Sequence, residues 1–324
     1  MRLFEFLRRA APLMTMACLG GFAGLAHAVY PEQPIKLVVG FPPGGGGDLY
    51  GRTIANELAK YLGQPVIVDN KAGAGGTIAA EVVAHAKPDG YTLLLAMSGN
   101  MASGPAIRPN LPYKVPDDFI PISQLVVTPF GLMISSTSKI HTIQEYIAVA
   151  RQGKMTYAST GAGGAAQIVM EMVKQQGNLD ILHIPYKGSG PALNDLIGGQ
   201  VDSFLAPYTP LMGQINGGKL RLLAVSSAKR VPSMPNVPTL KESGIDVTMT
   251  QWYGLAAPAG TPKVVIDTIA RHVKTALQQP AVLRVYRADG AQESTLSGDA
   301  FRDFIVRDLA NYKGAIERGN LKAE

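Results

Sequence analysis

The chain has 324 residues, 46% hydrophobic and 17% charged, with a formal net charge of +6 and one cysteine. Its lysines and arginines are scattered, with neither a basic run nor basic–aromatic alternation, which argues against a nucleic-acid partner. A single cysteine excludes an internal disulfide framework. Beyond the N-terminus no stretch approaches the roughly 20 apolar residues that span a bilayer.

The N-terminus reads as a leader. Arg2, Arg8 and Arg9 make a basic start, residues 10–25 are apolar, and Ala26-His27-Ala28 supplies an A-x-A site. A signal peptide over 1–28, cleaved after Ala28, is expected, and with it a periplasmic location. The rival reading is a buried N-terminal helix. Cys18 as a lipidated residue has a poor lead-in in Thr15-Met16-Ala17.

The first predicted strand is 35–39. A helix over 48–62 follows, with Asp48 as N-cap and Gly63 as stop. Strand 65–68, helix 77–84 and strand 91–96 complete the βαβ rhythm of a parallel, doubly wound sheet. Residues 119–127 contain Pro121 and read as an extended crossover, not a core strand. A second series then begins, with strands at 132–134, 155–158, 181–184 and 220–225 and helices at 165–176 and 191–197. Residues 247–256 read as extended, and the remainder as helices over 262–278, 280–288 and 299–313. Two αβ series joined by two extended crossovers imply two lobes around a hinge.

Glycine-rich turns carry the chemistry. Phe41-Pro42-Pro43-Gly44-Gly45-Gly46-Gly47-Asp48 joins a strand to a helix start. Glycines let a ligand approach the backbone, and the free N–H groups and partial positive charge of a helix start favour an anion. The loop lacks the Lys-Ser/Thr ending of a nucleotide-binding P-loop. Ser159-Thr160-Gly161-Ala162-Gly163-Gly164 repeats the logic, but with Ala165-Ala166 and Asp180 it also matches a dinucleotide fingerprint. The third turn, 70–77, either flanks a cleft or is structural.

Catalytic constellations are missing. His85, His141, His183 and His272 are dispersed, which gives no metal site. Two S-x-x-K matches, starting at Ser136 and Ser226, lack the partner motifs of penicillin-recognising enzymes. Trp252 and Tyr253 read as core or hinge packing, and His183 as a satisfied strand histidine. No cofactor is expected, and the chain reads as a binding protein, not an enzyme.

Across the mature chain the sequence resembles the Bug-type receptors of tripartite tricarboxylate transporters. The matching segments include Phe41-Pro42-Pro43-Gly44-Gly45 with Asp48 and Arg52, Asp69-Asn70-Lys71-Ala72-Gly73-Ala74-Gly75-Gly76-Thr77, Pro88-Asp89-Gly90-Tyr91-Thr92-Leu93, Pro185-Tyr186-Lys187-Gly188-Ser189-Gly190-Pro191-Ala192, and Ala257-Pro258-Ala259-Gly260-Thr261-Pro262. The resemblance implies an α/β, two-lobed periplasmic-binding-protein fold of the Venus flytrap, type II-like kind, with a ligand cleft between lobes. It assigns 29–128 and 230–324 to the first lobe, with the C-terminal helices returning there, and 129–229 to the second. It implies a small carboxylate ligand (a di- or tricarboxylate, an aromatic or other organic acid) delivered to the membrane subunits of such a transporter by a monomeric receptor. A periplasmic sensor feeding a membrane signalling protein is the alternative. Carried over by position, the ligand-binding residues are Phe41, Pro43, Gly44, Gly45 and Asp48 on one side and Thr160, Gly161 and Gly164 on the other, with Ser98 and Asn100 as further candidates. The family commonly has an acidic residue four positions after Asp202. Here Ala206 stands there, before Pro207, and this wall is expected to disfavour an amino-acid ligand.

Overall fold

A computed structural model describes residues 30–288, 291–319 and 321. The expected leader 1–28, its cleavage after Ala28 and Cys18 lie outside the described residues. From Gln33 to Glu324 the chain forms one compact unit.

The first half alternates as the apolar periodicity predicts: β1 (Ile35–Val39), α1 (Gly46–Leu62), β2 (Val66–Asn70), α2 (Thr77–Ala84), β3 (Thr92–Met97) and a short α3 (Gly104–Ile107). β1 lies between β2 and β3, parallel to both. Helix α1 ends where expected, at Gly63 in the left-handed region (φ 67°), whose N–H donates to the Ala59 carbonyl.

The segment read as a crossover is instead the spine of the molecule. β4 (Phe119–Ser135) is one continuous strand of 17 residues. It absorbs both the predicted crossover and the separate strand predicted at 132–134. Proline is tolerated in it because the ladder slips around Pro121, with register shifts at Pro121/Ser123 and Gln124/Val126.

The second half follows: α4 (Ile143–Ala150), β5 (Met155–Ser159), α5 (Ala165–Gly177), β6 (Ile181–Pro185), α6 (Ser189–Ile197), β7 (Ser203–Pro207), α7 (Met212–Asn216) and β8 (Leu220–Val225). Helix α4 went unread, although Thr142 caps it by accepting the Glu145 N–H, while Glu145 accepts from the His141 N–H. The chain ends with β9 (Thr250–Pro258), α8 (Lys263–Ala276), α9 (Pro280–Ala288), β10 (Gln292–Glu293) and α10 (Gly298–Gly319).

The strands make one sheet in the order β2-β1-β3-β9-β4-β7-β5-β6, with β8 and β10 also on β4. The first part of β4 pairs with β9, from Phe119 opposite Pro258 to Pro129 opposite Thr250. Its last part pairs with β7 and β8, from Phe130 opposite Pro207 to Ser135 opposite Leu220. Two sheet halves therefore share one strand.

The C-terminal segments pack against both sheet halves. Val231 packs with Val225 and Leu222 of the second half, and Leu240, Ile245 and Val247 pack with Leu132 and Leu223. The cause is a backbone bond from Leu240 N–H to the Val225 carbonyl, which ties this segment to β8. Helix α10 spans both cores. Phe301 and Ile305 pack with Trp252 in the first, and Tyr312 packs with Val169 and Met170 in the second.

Trp252 is fully buried, stacks edge-on against Phe301 and Phe304, and donates its indole N–H to Asp308 Oδ2 at 2.7 Å. His183 lies over Tyr157 and hydrogen-bonds Ser159 Oγ at 2.7 Å, the satisfied strand histidine expected.

Candidate functional site

The first glycine-rich turn starts its helix earlier than predicted. Gly45 is the N-cap, extended at φ −90° and ψ 174°, and the helix begins at Gly46. Asp48 is therefore not the N-cap but the third helical residue, and its carboxylate reaches back over the turn. It accepts Gly44 N–H at 3.1 Å, Arg52 Nε at 2.9 Å and Asn70 Nδ2 at 3.1 Å. Asn70 in turn donates to the Phe41 carbonyl at 2.8 Å. Burial alone would raise the Asp48 carboxyl, but the hydrogen bonds from Arg52, Gly44 and Asn70 and the Arg52 charge hold it below the usual carboxylate range. Asp48 and Gly44 thus stiffen the loop and are not part of the cavity wall described next.

Beside this loop lies a first cavity of about 190 Å³. Three helix starts face it: Gly46 and Gly47 of α1, Ala165 and Ala166 of α5, and Ser189, Gly190 and Pro191 of α6. The first N–H groups of a helix lack intrahelical acceptors and carry partial positive charge, so each start favours an anion. Gly46 has no room for a side chain, because a Cβ there would sit 2.7 Å from Tyr253 Oη and 3.1 Å from Pro210 Cγ.

Of the residues singled out by sequence, Phe41, Pro43, Gly45, Thr160 and Pro207 line this cavity. Gly161 lines a second cavity, of about 520 Å³, which the turn at 72–75 also borders. The third glycine turn therefore lines this second cavity. Gly164 is outside both walls. It caps α5, and its Cα lies 3.2 Å from where a Cβ on Gly75 would stand, so only glycines allow the two turns to meet.

Ser98 and Asn100 are fully buried behind the wall. Ser98 Oγ donates to Gln251 Oε1 at 2.5 Å, and it is Gln251 that reaches the cavity. Asn100 accepts the Met97 N–H and donates to the Leu95 carbonyl, which fixes the turn after β3. Ala206 is not a pocket wall either. It lies opposite Gly131 in the sheet and is buried with Ala192, Tyr208 and Leu222. Side chains alternate along a strand, and the cavity is reached only at Pro207, where β7 ends. Position 206 therefore does not set the charge that the cavity presents to a ligand.

Sequence reasoning missed Lys187, the start of α6, Gln251, Phe130 and Arg108, and read Tyr253 as core. Gly188-Ser189-Gly190-Pro191 did carry a helix-start signal, proline in a first turn after glycine. Gln251 and Phe130 carried none. The dinucleotide reading fails on geometry. Met155 pairs with Ile181, so Asp180 lies at the opposite end of these parallel strands from the loop at 160–164.

Neither cavity wall contains an Asp or Glu, whereas Lys187 borders both and Arg108 borders the second. Among the described residues no group of three or more His, Cys, Asp or Glu side chains could hold a metal ion.

Comparison with known proteins agrees with this geometry. Residues 50–321 match the family model of the tripartite tricarboxylate transporter family receptor. The chain is 36% identical to protein BugT of Bordetella pertussis over 318 residues, covering 95% of this chain and 98% of BugT. The structure of the periplasmic binding protein BugD superposes with a TM-score of 0.86 at 33% identity, over 91% of this chain and 100% of BugD. The structure of Rpa4515 from R. palustris with adipate gives a TM-score of 0.87 at 27% identity, over 90% and 99% of the two chains. With an α/β periplasmic-binding fold and facing helix starts at its cleft, this chain belongs to the tripartite tricarboxylate transporter receptor family.

Proposed function

We propose that this protein is an extracytoplasmic solute receptor that holds a small organic acid in the first cavity and delivers it to the membrane subunits of a tripartite transporter. The observation that carries this reading is the convergence of three helix starts on a cavity whose wall has a lysine and no carboxylate. Each charge-assisted hydrogen bond contributes roughly 1.5–3 kcal/mol, and micromolar binding needs about 8 kcal/mol net. A few backbone donors plus burial of the ligand body meet that requirement. The adipate found with Rpa4515 is an acid of this kind.

The lobes of this reading are the two sheet halves, with residues 130–249 as the second. They close about β4, β9 and α10, which are shared or packed between them. Closure removes water from the acid and strengthens its pairing with the fixed dipoles. The ligand carries no ammonium group, because neither wall offers an acid to neutralise one. The acid is bound and released unchanged.

A thermal-shift screen of the purified mature protein against a carboxylate library tests this. A ligand at 100 times its Kd stabilises by ~2.7 kcal/mol. Organic acids are expected to raise the melting temperature with dose, while aspartate and glutamate leave it unmoved. Stabilisation by neutral or cationic solutes alone overturns the carboxylate reading.

A further inference from the structure

Tyr50 and Thr209 meet between the two sheet halves, outside both cavity walls. Tyr50 stands one turn along α1 from Gly46, and Thr209 follows the end of β7 at Pro207. Gly46 and Pro207 both line the first cavity. Each half therefore carries a wall residue and, a few residues on, one member of this pair. Tyr50 Oη and Thr209 Oγ1 share a hydrogen bond of 2.8 Å, and both residues are fully buried. Pro210, next in the chain, packs against the start of α1, where a Cβ on Gly46 would sit 3.1 Å from its Cγ.

The two members are anchored separately. The Tyr50 ring lies 4.9 Å from the Tyr253 ring and 5.5 Å, edge-on, from the Tyr286 ring, both of the first half. Thr209 opens a single helical turn, Thr209–Leu211, and Leu211 and Met212 pack with Phe204 and Leu222 of the second half. Parting the halves about β4, β9 and α10 separates the two hydroxyls while each stays fixed on its own half. Water then bonds both hydroxyls, and on closure they bond one another. Such an exchange between neutral groups is worth about two- to tenfold in an equilibrium constant. That is enough to bias closure and too little to lock it, which suits a receptor that must release its cargo.

The geometry points to a closure latch: Tyr50 and Thr209 hold the two halves together over a bound acid, so that affinity is set in part by a pair that does not touch the ligand. This rests on the carboxylate reading above. Wall and latch residues share α1 on one side and the end of β7 on the other, so an acid that draws Gly46 toward Pro207 also brings Tyr50 onto Thr209. The latch acts on the closed complex, so it slows release and leaves capture unchanged.

The test is a double-mutant cycle with Tyr50→Phe and Thr209→Val, which remove each hydroxyl and keep the shape of the side chain. Calorimetry and stopped-flow kinetics are run with acetate, succinate, malate, adipate, citrate and benzoate as probes. Each single variant is expected to bind the tightest probe about two- to tenfold more weakly, through faster dissociation. The double variant is expected to bind no more weakly than the weaker single variant, because the pair acts as a unit. Thr209→Ser, which keeps the hydroxyl, is expected to retain most of the unaltered affinity. Unchanged affinity in both single variants, losses that multiply in the double variant, or a loss confined to association overturns the latch and leaves the acid site standing. Heat from no probe with the unaltered protein overturns the carboxylate reading, and this inference with it. Tyr50→Phe set against Thr209→Ser decides the matter where Thr209→Val folds poorly.

Discussion

Replacing Asp308 by asparagine removes a partly buried charge yet keeps an oxygen acceptor for the Trp252 indole N–H, now bonded to Asp308 Oδ2 at 2.7 Å. Burial pushes the Asp308 carboxyl up to about 6 from 3.8, against the opposing effect of the Trp252 hydrogen bond. A rise of about two units is at most about 3 kcal/mol of native-state cost when the group is ionised. The cost is fully present above the folded pKa. It is relieved as pH falls through about 6, because the native carboxyl takes up a proton while the unfolded one stays ionised. An asparagine at this position never bears the charge. Asp308→Asn is therefore expected to be more stable than the unaltered protein by up to about 3 kcal/mol at pH 8, with the advantage vanishing toward pH 4. Urea denaturation followed by far-UV circular dichroism at several pH values measures this, with the fluorescence of the sole tryptophan as a second probe. An advantage that is the same at pH 8 and pH 5, or a variant less stable at pH 8, would refute the reasoning.

Two further outcomes follow from the site. Gly46→Ala drives a Cβ against Tyr253 Oη and Pro210 Cγ; overpacking of roughly 1–3 kcal/mol should weaken acid binding about tenfold or more, and unchanged affinity by calorimetry would mean the contact yields freely. Asp48→Ala leaves the Arg52, Gly44 and Asn70 donors without their shared acceptor and should cost roughly 1–3 kcal/mol in urea unfolding at pH 7. Because the Asp48 pKa lies below its ordinary value of 3.8, that loss should hold at all higher pH and shrink only as pH falls below about 4; a loss that fades already between pH 7 and 5 would contradict it.

Local physics made much of this protein legible before any fold was known. Gly63 stops α1 because only glycine adopts that left-handed turn cheaply, and the glycine turns before α1 and α5 announce helix starts that suit an anion. Those signals depend on neighbours in sequence, and the structure keeps them. It departs where the outcome depends on partners remote in sequence. Pro121 reads as a strand breaker, yet it lies in the central strand, because β4 shifts register against β9 directly after it.

The same division holds at the site. Sequence alone determined that several turns end in free backbone donors and that the chain resembles a family of acid receptors. Only the tertiary structure decided that α6 joins α1 and α5 at one cavity, that Gln251 and Tyr253 reach it from β9, and that Arg108 borders its neighbour. It also turned Ala206 into the core and bound Asp48 to its own loop. The reason is geometric. A helix start is written in a few consecutive residues, but the face a strand residue presents depends on register, and register is set by pairing with distant segments.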